Sequence, residues 1–461
     1  MKNVILIARR YINDYDKTRR DIVHRILACK EYQISLLVIH PLADKTYYQN
    51  IPGIKRVLTS LEIENIETTD GLDYEIIQKQ KHSQLHIENY LRRLYNDYQI
   101  EKYYYYNALS FWNKIFAEDR IDIVITTQVF HGWVWDIANA LADVYGAKSY
   151  YIEQAAYNNT YSINNHGKLL PVYMHPAENI KYVLSASYDI RKIPPNKKEK
   201  DFFQRVAYKI GGNIFQDFLY RLRSWNWEPR LAGHQRASMS LMDKMIGYLK
   251  IKYIEFNMKK ISVPPDFSRK YVFYALHLEP EASIQCRTVL ESQLTVIKML
   301  SETLPSGWTI YVKEHPMQFD VNNDENYVYF TQAMNYKTRR FYESINKIAN
   351  VSLIDISANT DELIENAQAI ASILGTVLYE GVLAEKPVLV FSDLSPISYL
   401  EESFAIHSYF ECYHAMKTIA KGFKPNYNDC DAVIKRYIFK GEFESDNVLE
   451  LLRSKCPIDE V

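Results

Sequence analysis

The chain has 461 residues, which is long for one ordinary core and suits two or three domains of typical size. Its 55 Lys and Arg residues nearly balance its 56 Asp and Glu residues, so no overall positive field attracts nucleic acid. Hydrophobic residues make up 47% and charged residues 24% of the chain, a composition typical of folded proteins rather than disordered ones. We therefore expect a folded protein of two domains that does not bind nucleic acid.

The cysteines and the apolar runs indicate the compartment. The five cysteines form no CxxC motif and no Cys/His cluster, so neither a disulfide framework nor a zinc site is predicted. The first apolar run is shorter than the core of a signal peptide, and no later run reaches the roughly 18 apolar residues that a membrane span requires. These features predict a cytoplasmic protein.

Strand and helix patterns alternate through residues 1–195. Predicted strands lie at Val4–Ala8, Ser35–His40, Ile121–Thr126 and Ser149–Ile152. Helical patterns lie between them at Arg19–Cys29, at 83–118 as one or two helices, and at Trp133–Tyr145, which Gly146 closes. This alternation predicts an N-terminal Rossmann-like domain with a mostly parallel sheet covered on both faces.

Residues 196–264 have few strand signals and combine helical patterns with basic and aromatic residues, among them Arg205, Trp225 and Trp227. Two interpretations are open. The favoured one is a helical inter-domain segment whose aromatic side chains pack inward. The other is a face that lies on an anionic membrane, because bulky apolar groups among Lys and Arg suit that interface.

Residues 265–425 repeat the alternation. Predicted strands lie at Tyr271–His277, Thr309–Lys313, Val351–Ile354, Ala369–Leu374 and Pro387–Phe391. Predicted helices lie at Val289–Leu304, Lys337–Ile348, Asp361–Asn366 and Val377–Ala384. We predict a second doubly wound domain here and a C-terminal helical tail over 426–461. The fold class is thus α/β, with two Rossmann-like domains facing a cleft.

Ligands of open parallel sheets bind at the carboxyl ends of the strands, so residues that follow strands are the candidates for the site. Lys313, Glu314, His315 and Pro316 follow one predicted strand directly. Pro316 stiffens this turn, and His315 is placed to donate to a phosphate oxygen or a ribose hydroxyl. The alternative is a loop histidine bonded to a neighbouring carbonyl group.

A second candidate turn, Leu374-Gly375-Thr376, joins a buried strand to a helix. Backbone N–H groups and the Thr376 hydroxyl at such a helix start can bind an anion, and Glu380 four residues later can bind a ribose diol. An N-cap threonine and a solvated glutamate are the alternative. The chain contains neither GxGxxG nor GxxxxGK[ST], which disfavours redox dinucleotides and P-loop ATP hydrolysis.

The third candidate, residues 277–283 (HLEPEAS), follows the first strand of the second domain. Pro280, Glu281 and Ser283 predict a helix start, where the helix dipole favours acidic residues. This leaves His277 and Glu279 to face the cleft.

The ordered set of strand-HLEPEAS, strand-KEHP and strand-LGT-x3-EG-x4-KPV resembles the bacterial capsule polysaccharide biosynthesis family over residues 271–391. That family includes retaining Kdo transferases with the two-domain glycosyltransferase B architecture. The chain also resembles, more distantly, bacterial sialyltransferases with a His-Pro pair. The resemblance implies that His315 and Pro316 contact the nucleotide, that Gly375 and Thr376 hold phosphate, and that Glu380 holds the ribose. Leu374-Gly375-Thr376 stands where many relatives have Ser-Thr or Ser-Ser.

The resemblance also implies that the N-terminal domain binds the acceptor and supplies a catalytic carboxylate or imidazole. Gln128 and His131 follow one predicted strand, and Glu153 and Gln154 follow the next. Glu153 is the preferred catalytic carboxylate and His131 the second candidate, while a surface glutamate is the alternative for Glu153. No DxD-like pair follows a strand, so catalysis without a metal ion or other cofactor is expected.

Together these features predict a nucleotide-sugar-dependent glycosyltransferase that acts on a capsule or lipopolysaccharide acceptor, which is a glycan or a lipid-linked glycan. The first hypothesis for the donor is Kdo or a sialic-acid-like sugar on CMP. A polyol-phosphate transferase of the teichoic-acid kind is one alternative, and a non-catalytic glycan-assembly partner is another. Because a lipid-linked acceptor lies in the membrane, peripheral association with the inner membrane is a further expectation.

Overall fold

A computed structural model describes residues 1–8, 15–41, 43–92, 97–127, 133–155, 160–165, 167–172, 176, 241–280, 284, 288–319, 334–441 and 444–453. Most of the predicted inter-domain segment, and the candidates Gln128 and His131, lie outside these residues.

The N-terminal sheet, as far as the described residues show it, has eight strands. They are β1 (Lys2–Ala8), β2 (Tyr32–Ile39), β3 (Val57–Thr59), β4 (Ile123–Thr127), β5 (Lys148–Gln154), β6 (Thr160–Asn165), β7 (Lys168–Leu170) and β14 (Phe439–Lys440). The strand order β3-β2-β1-β4-β5 is parallel throughout, whereas β6, β7 and β14 add in antiparallel orientation. The four predicted strands are confirmed, and the sequence pattern missed β3, β6, β7 and β14.

The helices of this half are α1 (Tyr15–Ala28), α2 (Lys45–Gln49), α3 (Ser60–Glu64), α4 (Tyr74–Lys79), α5 (Lys81–Leu91), α6 (Tyr98–Asp119) and α7 (Trp133–Tyr145). The long pattern over 83–118 is therefore two helices. Helix α6 is capped at its N-terminus by Asp97, whose side chain accepts from the N–H groups of Gln99 and Ile100. Helix α7 closes at Gly146 with a φ of +70°, as predicted, because glycine adopts this left-handed conformation without a steric penalty.

The C-terminal sheet has six described strands, all parallel: β8 (Tyr271–Ala275), β9 (Thr309–Lys313), β10 (Val351–Ile354), β11 (Ala369–Ser372), β12 (Val388–Val390) and β13 (Phe404–Ala405). Their order is β10-β9-β8-β11-β12-β13. Counted from β8, this is the 3-2-1-4-5-6 order of a Rossmann domain. The structure thus has the predicted α/β fold with two Rossmann-like sheets.

The second half of the chain contributes the helices α8 (Leu241–Ile261), α9 (Gln293–Thr303), α10 (Arg339–Asn346), α11 (Thr360–Asn366), α12 (Thr376–Leu383), α13 (Tyr409–Ala420), α14 (Cys430–Tyr437) and α15 (Glu444–Arg453). Short 3-10 helices lie at Pro316–Phe319 and Pro396–Tyr399. No helix among the described residues is long and apolar enough to cross a membrane.

Both faces of each sheet are buried, which explains why the strands are nearly continuous apolar runs. In β8, Val272 and Tyr274 join the hydrophobic cluster on one face, and Tyr271 and Phe273 join the cluster on the other. Helix α8 adds Ile251, Ile254 and Met258 to the first of these clusters, so its buried side belongs to the C-terminal core.

The two halves contact each other at several places. Strand β14, from the end of the chain, pairs with β6 of the N-terminal sheet. His86 Nδ1 lies 2.8 Å from Glu291 Oε1, and the Tyr336 hydroxyl donates to the carbonyl of Asn89 at 2.7 Å. On another side, the Leu169 N–H donates to the Tyr399 hydroxyl at 3.2 Å. The C-terminal tail therefore adds a strand to the N-terminal sheet.

Gly381 of α12 packs closely against the sheet. A Cβ atom there would lie 2.9 Å from Val388 Cγ1 and 3.0 Å from Ile370 Cγ1. We predict that Gly381→Ala lowers the free energy of unfolding by about 1 kcal/mol, since overpacking outweighs the gain in helix propensity. Thermal unfolding measures this, with His414→Ala on the exposed side of α13 as the control. An unchanged or higher midpoint for Gly381→Ala would contradict the predicted overpacking.

Candidate functional site

The reversal of strand order places a crevice between β8 and β11. In an open parallel sheet, helices leave such neighbouring strands toward opposite faces, and ligands bind in the gap at their carboxyl ends. His277 lies just after β8, and Leu374-Gly375-Thr376 lies just after β11. The KEHP turn follows β9, the neighbour of β8 on its other side. Two of the predicted turns thus flank the crevice directly, and the third lies one strand away.

His277 forms the floor of this crevice. Its ring is buried, and its Nε2 accepts the Leu374 N–H at 3.0 Å and lies 3.0 Å from Ser372 Oγ. Burial, together with the positive charge of Lys337 and the nearby His315, lowers the pKa of His277 to about 3. The structure differs here from the expectation that His277 faces the cleft, since the buried neutral ring holds the turn after β11 in place.

The turn after β11 fits closely against that ring. A Cβ atom on Gly375 would lie 3.3 Å from Ser372 Oγ and 3.4 Å from His277 Cε1, so a side chain there would crowd both. Gly375 is the N-cap of α12 with an extended backbone, and no side chain caps this helix. Thr376 is therefore the first helical residue, not the N-cap, and it is exposed. The helix start is open to solvent at the crevice.

Glu314 of the KEHP turn is a buried structural carboxylate. It accepts the His315 N–H at 2.6 Å, the Lys337 ammonium at 2.7 Å and the Tyr342 hydroxyl at 2.7 Å. The Lys337 and Glu314 side chains are only 1% and 0% exposed. Lys337 also donates to the carbonyl of His277. These bonds satisfy the buried charges and fix the turn that carries His315.

His315 projects from this fixed turn and is partly buried. Its Nδ1 accepts the Met317 N–H at 3.2 Å, which assigns the proton of the neutral ring to Nε2. Burial, followed by the charges of Lys337 and Lys313, lowers the pKa of His315 to about 4. At neutral pH the ring is therefore an uncharged Nε2–H donor. Pro316 begins the 3-10 helix that supplies Met317.

Lys313 lies on the opposite face of the sheet from Glu314, because neighbouring residues of an extended strand alternate. It is buried, and its ammonium donates to Thr360 Oγ1 at 2.8 Å at the start of α11. Burial lowers the pKa of Lys313, and the carboxylates of Glu380 and Asp355 oppose that effect. Glu380, one helical turn after Thr376 and partly buried, thus lies within electrostatic reach of Lys313.

Glu279 is held by two glutamines. Its carboxylate accepts from Gln293 Nε2, while its N–H donates to Gln318 Oε1 at 2.8 Å and its carbonyl accepts from Gln318 Nε2 at 2.7 Å. Gln293 also accepts the His277 N–H at 2.7 Å. Burial raises the pKa of Glu279. This carboxylate, too, is committed to neighbours rather than being free to face the cleft.

Three residues of this arrangement, Gln293, Gln318 and Lys337, were not singled out from the sequence. Each belongs to an unremarkable polar stretch at the edge of a helix or turn, so no local motif marks it. Their role arises only because the sheet brings the exits of β8 and β9 together. The helix start expected at Glu281 and Ser283 lies outside the described residues.

The N-terminal candidate Glu153 lies near the end of β5 and is partly buried. It pairs with Ser162 of the neighbouring strand β6. Two residues on, Ala155 packs against the C-terminal cluster that includes Val377 and Leu378 at the start of α12. The exit of β5 therefore contacts the C-terminal core. The second candidate, His131, lies in a part of the chain that the structure does not describe.

Within the described ranges, no group of three or more His, Cys, Asp or Glu side chains is placed to hold a metal ion. The site consists instead of neutral imidazoles, buried lysines and a helix start.

No family model matches the chain, and no curated protein sequence does. Solved structures align over most of it at low similarity. UDP-GlcNAc 2-epimerase from Methanocaldococcus jannaschii is 11% identical, with 98% of this chain and 99% of that chain covered and a TM-score of 0.26. A β-Kdo 2,7 transferase, KpsC of Thermosulfurimonas dismutans, is 12% identical over 74% and 89%, with a TM-score of 0.27. The ADP-heptose LPS heptosyltransferase II of E. coli is 8% identical over 91% and 98%, with a TM-score of 0.22. At these values the likeness carries no inference about activity, and the fold class rests on the strand order.

The lowered pKa of His315 predicts a pH dependence of stability. The unfolded chain binds this proton below about pH 6.5, whereas the folded protein binds it only below about pH 4. Stability is therefore lost as the pH falls through that window, by up to about 1.4 kcal/mol per pH unit for one proton. His315→Gln keeps an acceptor for the Met317 N–H and should make the unfolding free energy depend less on pH. The pH dependence that remains should come from His277, whose pKa is also lowered.

Urea unfolding at a series of pH values measures the slope, with His24→Gln on the exposed side of α1 as the control. Equal slopes for wild type and His315→Gln would show that His315 is protonated normally in the folded protein.

Proposed function

We propose that the chain is a glycosyltransferase that binds the nucleotide of its sugar donor at the carboxyl edge of the C-terminal sheet. The observation that carries the proposal is the link from His277 Nε2 to the Leu374 N–H, which joins the exits of β8 and β11 at the crevice. That crevice is where doubly wound sheets bind nucleotides. The resemblance of the three turns to capsule polysaccharide transferases supports the same conclusion.

The groups at the site suit a leaving phosphate. In glycosyl transfer the bond from the anomeric carbon to a phosphate oxygen breaks, and the phosphate keeps the electron pair. An open helix start at Gly375-Thr376 and the neutral Nε2–H of His315 can donate to that negative charge. Lys313, with Glu380 nearby, adds a positive charge at the same edge of the sheet. Glu380 is the proposed ribose ligand.

The acceptor hydroxyl bonds to the anomeric carbon and loses its proton to a base. We assign this role to Glu153, because the exit of β5 packs against the C-terminal core through Ala155, two residues after Glu153. Donor binding without a metal ion is part of the proposal, since the phosphate is neutralised by protein groups.

For the donor we propose Kdo or a sialic-acid-like sugar on CMP, and for the acceptor a capsule or lipopolysaccharide glycan in the cytoplasm. This choice rests on the motif resemblance alone. A polyol-phosphate transferase would use the same nucleotide site, so product analysis with a CMP-polyol and with CMP-Kdo distinguishes the two. A protein that binds none of these nucleotides would be an assembly partner.

We predict that CMP raises the thermal midpoint of the wild-type protein more than UDP or GDP does, because a ligand that binds only the folded state stabilises it. His315→Ala should abolish sugar transfer and most of the CMP-induced shift, since it removes the Nε2–H donor, while the folded state persists. The control is His407→Ala, an exposed histidine after β13. Wild-type turnover by folded His315→Ala would refute the assignment.

We also propose that α8 rests on an anionic membrane near the acceptor. Ile246, Leu249, Tyr253 and Phe256 form an exposed stripe on this helix, 41–57% exposed. Lys260 Nζ lies 4.3 Å from the centroid of the Phe256 ring, so basic and apolar groups share this face. Such a face suits the interface between lipid headgroups and acyl chains.

Liposome co-sedimentation tests this contact. We predict binding to anionic vesicles at low salt that weakens at high salt, since each basic residue near the surface contributes about 1 kcal/mol and salt screens it. Phe256→Ala should weaken binding, and the control Phe410→Ala, on the exposed face of α13, should not. Absence of binding at low salt, or binding indifferent to lipid charge, would exclude the role of α8.

A further inference from the structure

Lys337 joins two of the site's turns from inside the protein. Its ammonium donates to the carbonyl of His277 after β8 and, at 2.7 Å, to the carboxylate of Glu314 after β9. The same carboxylate accepts the Tyr342 hydroxyl of α10 at 2.7 Å. Lys337 thus joins the exits of two neighbouring strands to the segment that begins α10.

Each of these contacts supports one of the two turns beside the crevice. Glu314 accepts the backbone N–H of His315 at 2.6 Å, so the pair fixes the base of the KEHP turn. The carbonyl of His277 anchors the residue whose ring receives the Leu374 N–H at 3.0 Å. The Lys337 ammonium therefore supports both the turn that carries the His315 donor and the turn that precedes α12.

Stability alone is a weak explanation for this pair. Desolvating two charges is costly, and well-packed apolar residues often replace a buried ion pair without loss of stability. An apolar pair could fill the same space, but it could not bond to the His277 carbonyl or accept the His315 N–H. The specific geometry of the turns is what the charged pair provides.

We propose that Lys337 is a positioning residue that holds the KEHP turn and the Leu374–Thr376 turn as one rigid anion-binding cradle. It touches no ligand itself and acts through Glu314 and His277. The inference rests on the proposed nucleotide site, because the cradle is the one assigned there to phosphate.

The charges around the two imidazoles are consistent with this role. Lys337 lowers the pKa values of both His277 and His315, in addition to the effect of burial. Lys313 faces His315 from β9 and acts in the same direction. Glu314 lies beside His315 but is committed to three donors. With Lys337 in place, both rings stay neutral and keep their present hydrogen bonds.

The test compares Lys337→Met with the double variant Lys337→Met/Glu314→Gln. The single variant leaves the Glu314 carboxylate buried without its cation and can unfold, whereas the double variant buries no net charge. Lys298→Met is the matched control, since Lys298 forms an exposed ion pair with Glu302 on α9 at 3.1 Å. Circular dichroism and thermal unfolding establish which variants are folded.

Two quantities are measured on the folded variants. Calorimetric titration gives the affinity for CMP, and NMR titration of the His315 ring, identified by comparison with His315→Gln, gives its pKa. We expect affinity to fall about tenfold or more in the double variant, because small displacements of positioned groups have large effects. We expect the pKa of His315 to rise from about 4 toward its ordinary value. Lys298→Met should match the wild type in both.

Wild-type affinity in the folded double variant, or an unchanged pKa of His315, would overturn the positioning role. The NMR titration does not depend on the nucleotide, so it tests Lys337 even if CMP fails to bind. Conversely, normal CMP affinity in His315→Ala would refute the nucleotide site while leaving the effect of Lys337 on His315 measurable.

Discussion

The gap between β8 and β11 is the constraint on which the C-terminal site depends. These strands lie side by side, yet the chain leaves them toward opposite faces of the sheet, so their carboxyl ends cannot be covered by one continuous helix layer. The His277 ring closes the bottom of this gap by accepting the Leu374 N–H. The helix that starts at Thr376 follows the turn bonded to that ring, and the turn that carries His315 lies one strand away.

Most of the charged groups of the site are buried. Glu314 and Lys337 are fully buried, Lys313 is buried against Thr360, and Glu279 is held by Gln293. Buried charges require partners, and here the partners belong to the exits of different strands. The consequence is a rigid frame of ionic and hydrogen-bonded groups behind a small set of neutral donors. This separation of frame from donors explains why one motif, KEHP, combines a structural glutamate with a candidate ligand histidine.

The sequence predicted the regular parts of the fold because their signals are local. Apolar runs such as Val4–Ala8 and Thr309–Lys313 are recognisable as strands buried on both faces. The sequence pattern missed short or polar strands, since β14 has two residues and β6 consists mostly of polar residues, TYSINN. Their strand character depends on pairing with other strands, and β14 pairs with β6 across about 280 residues of chain.

The site was predictable to the level of turns but not of side chains. Motif spacing located the turns at 277–279, 313–316 and 374–376, and parallel topology brought them to one edge. Spacing could not reveal that His277 and Glu314 point inward, because direction depends on what lies across the sheet. Lys337 could not be found at all, since it meets Glu314 only when the segment that precedes α10 lies beside the exit of β9.

The central claim is that a nucleotide phosphate binds between the His315 turn and the start of α12. A crystal structure of the protein soaked with CMP tests it most directly. The account predicts a phosphate oxygen within hydrogen-bond distance of His315 Nε2 and of the backbone N–H groups at Gly375-Thr376, with the ribose toward Glu380. A nucleotide bound elsewhere, or a phosphate that contacts neither turn, would contradict it.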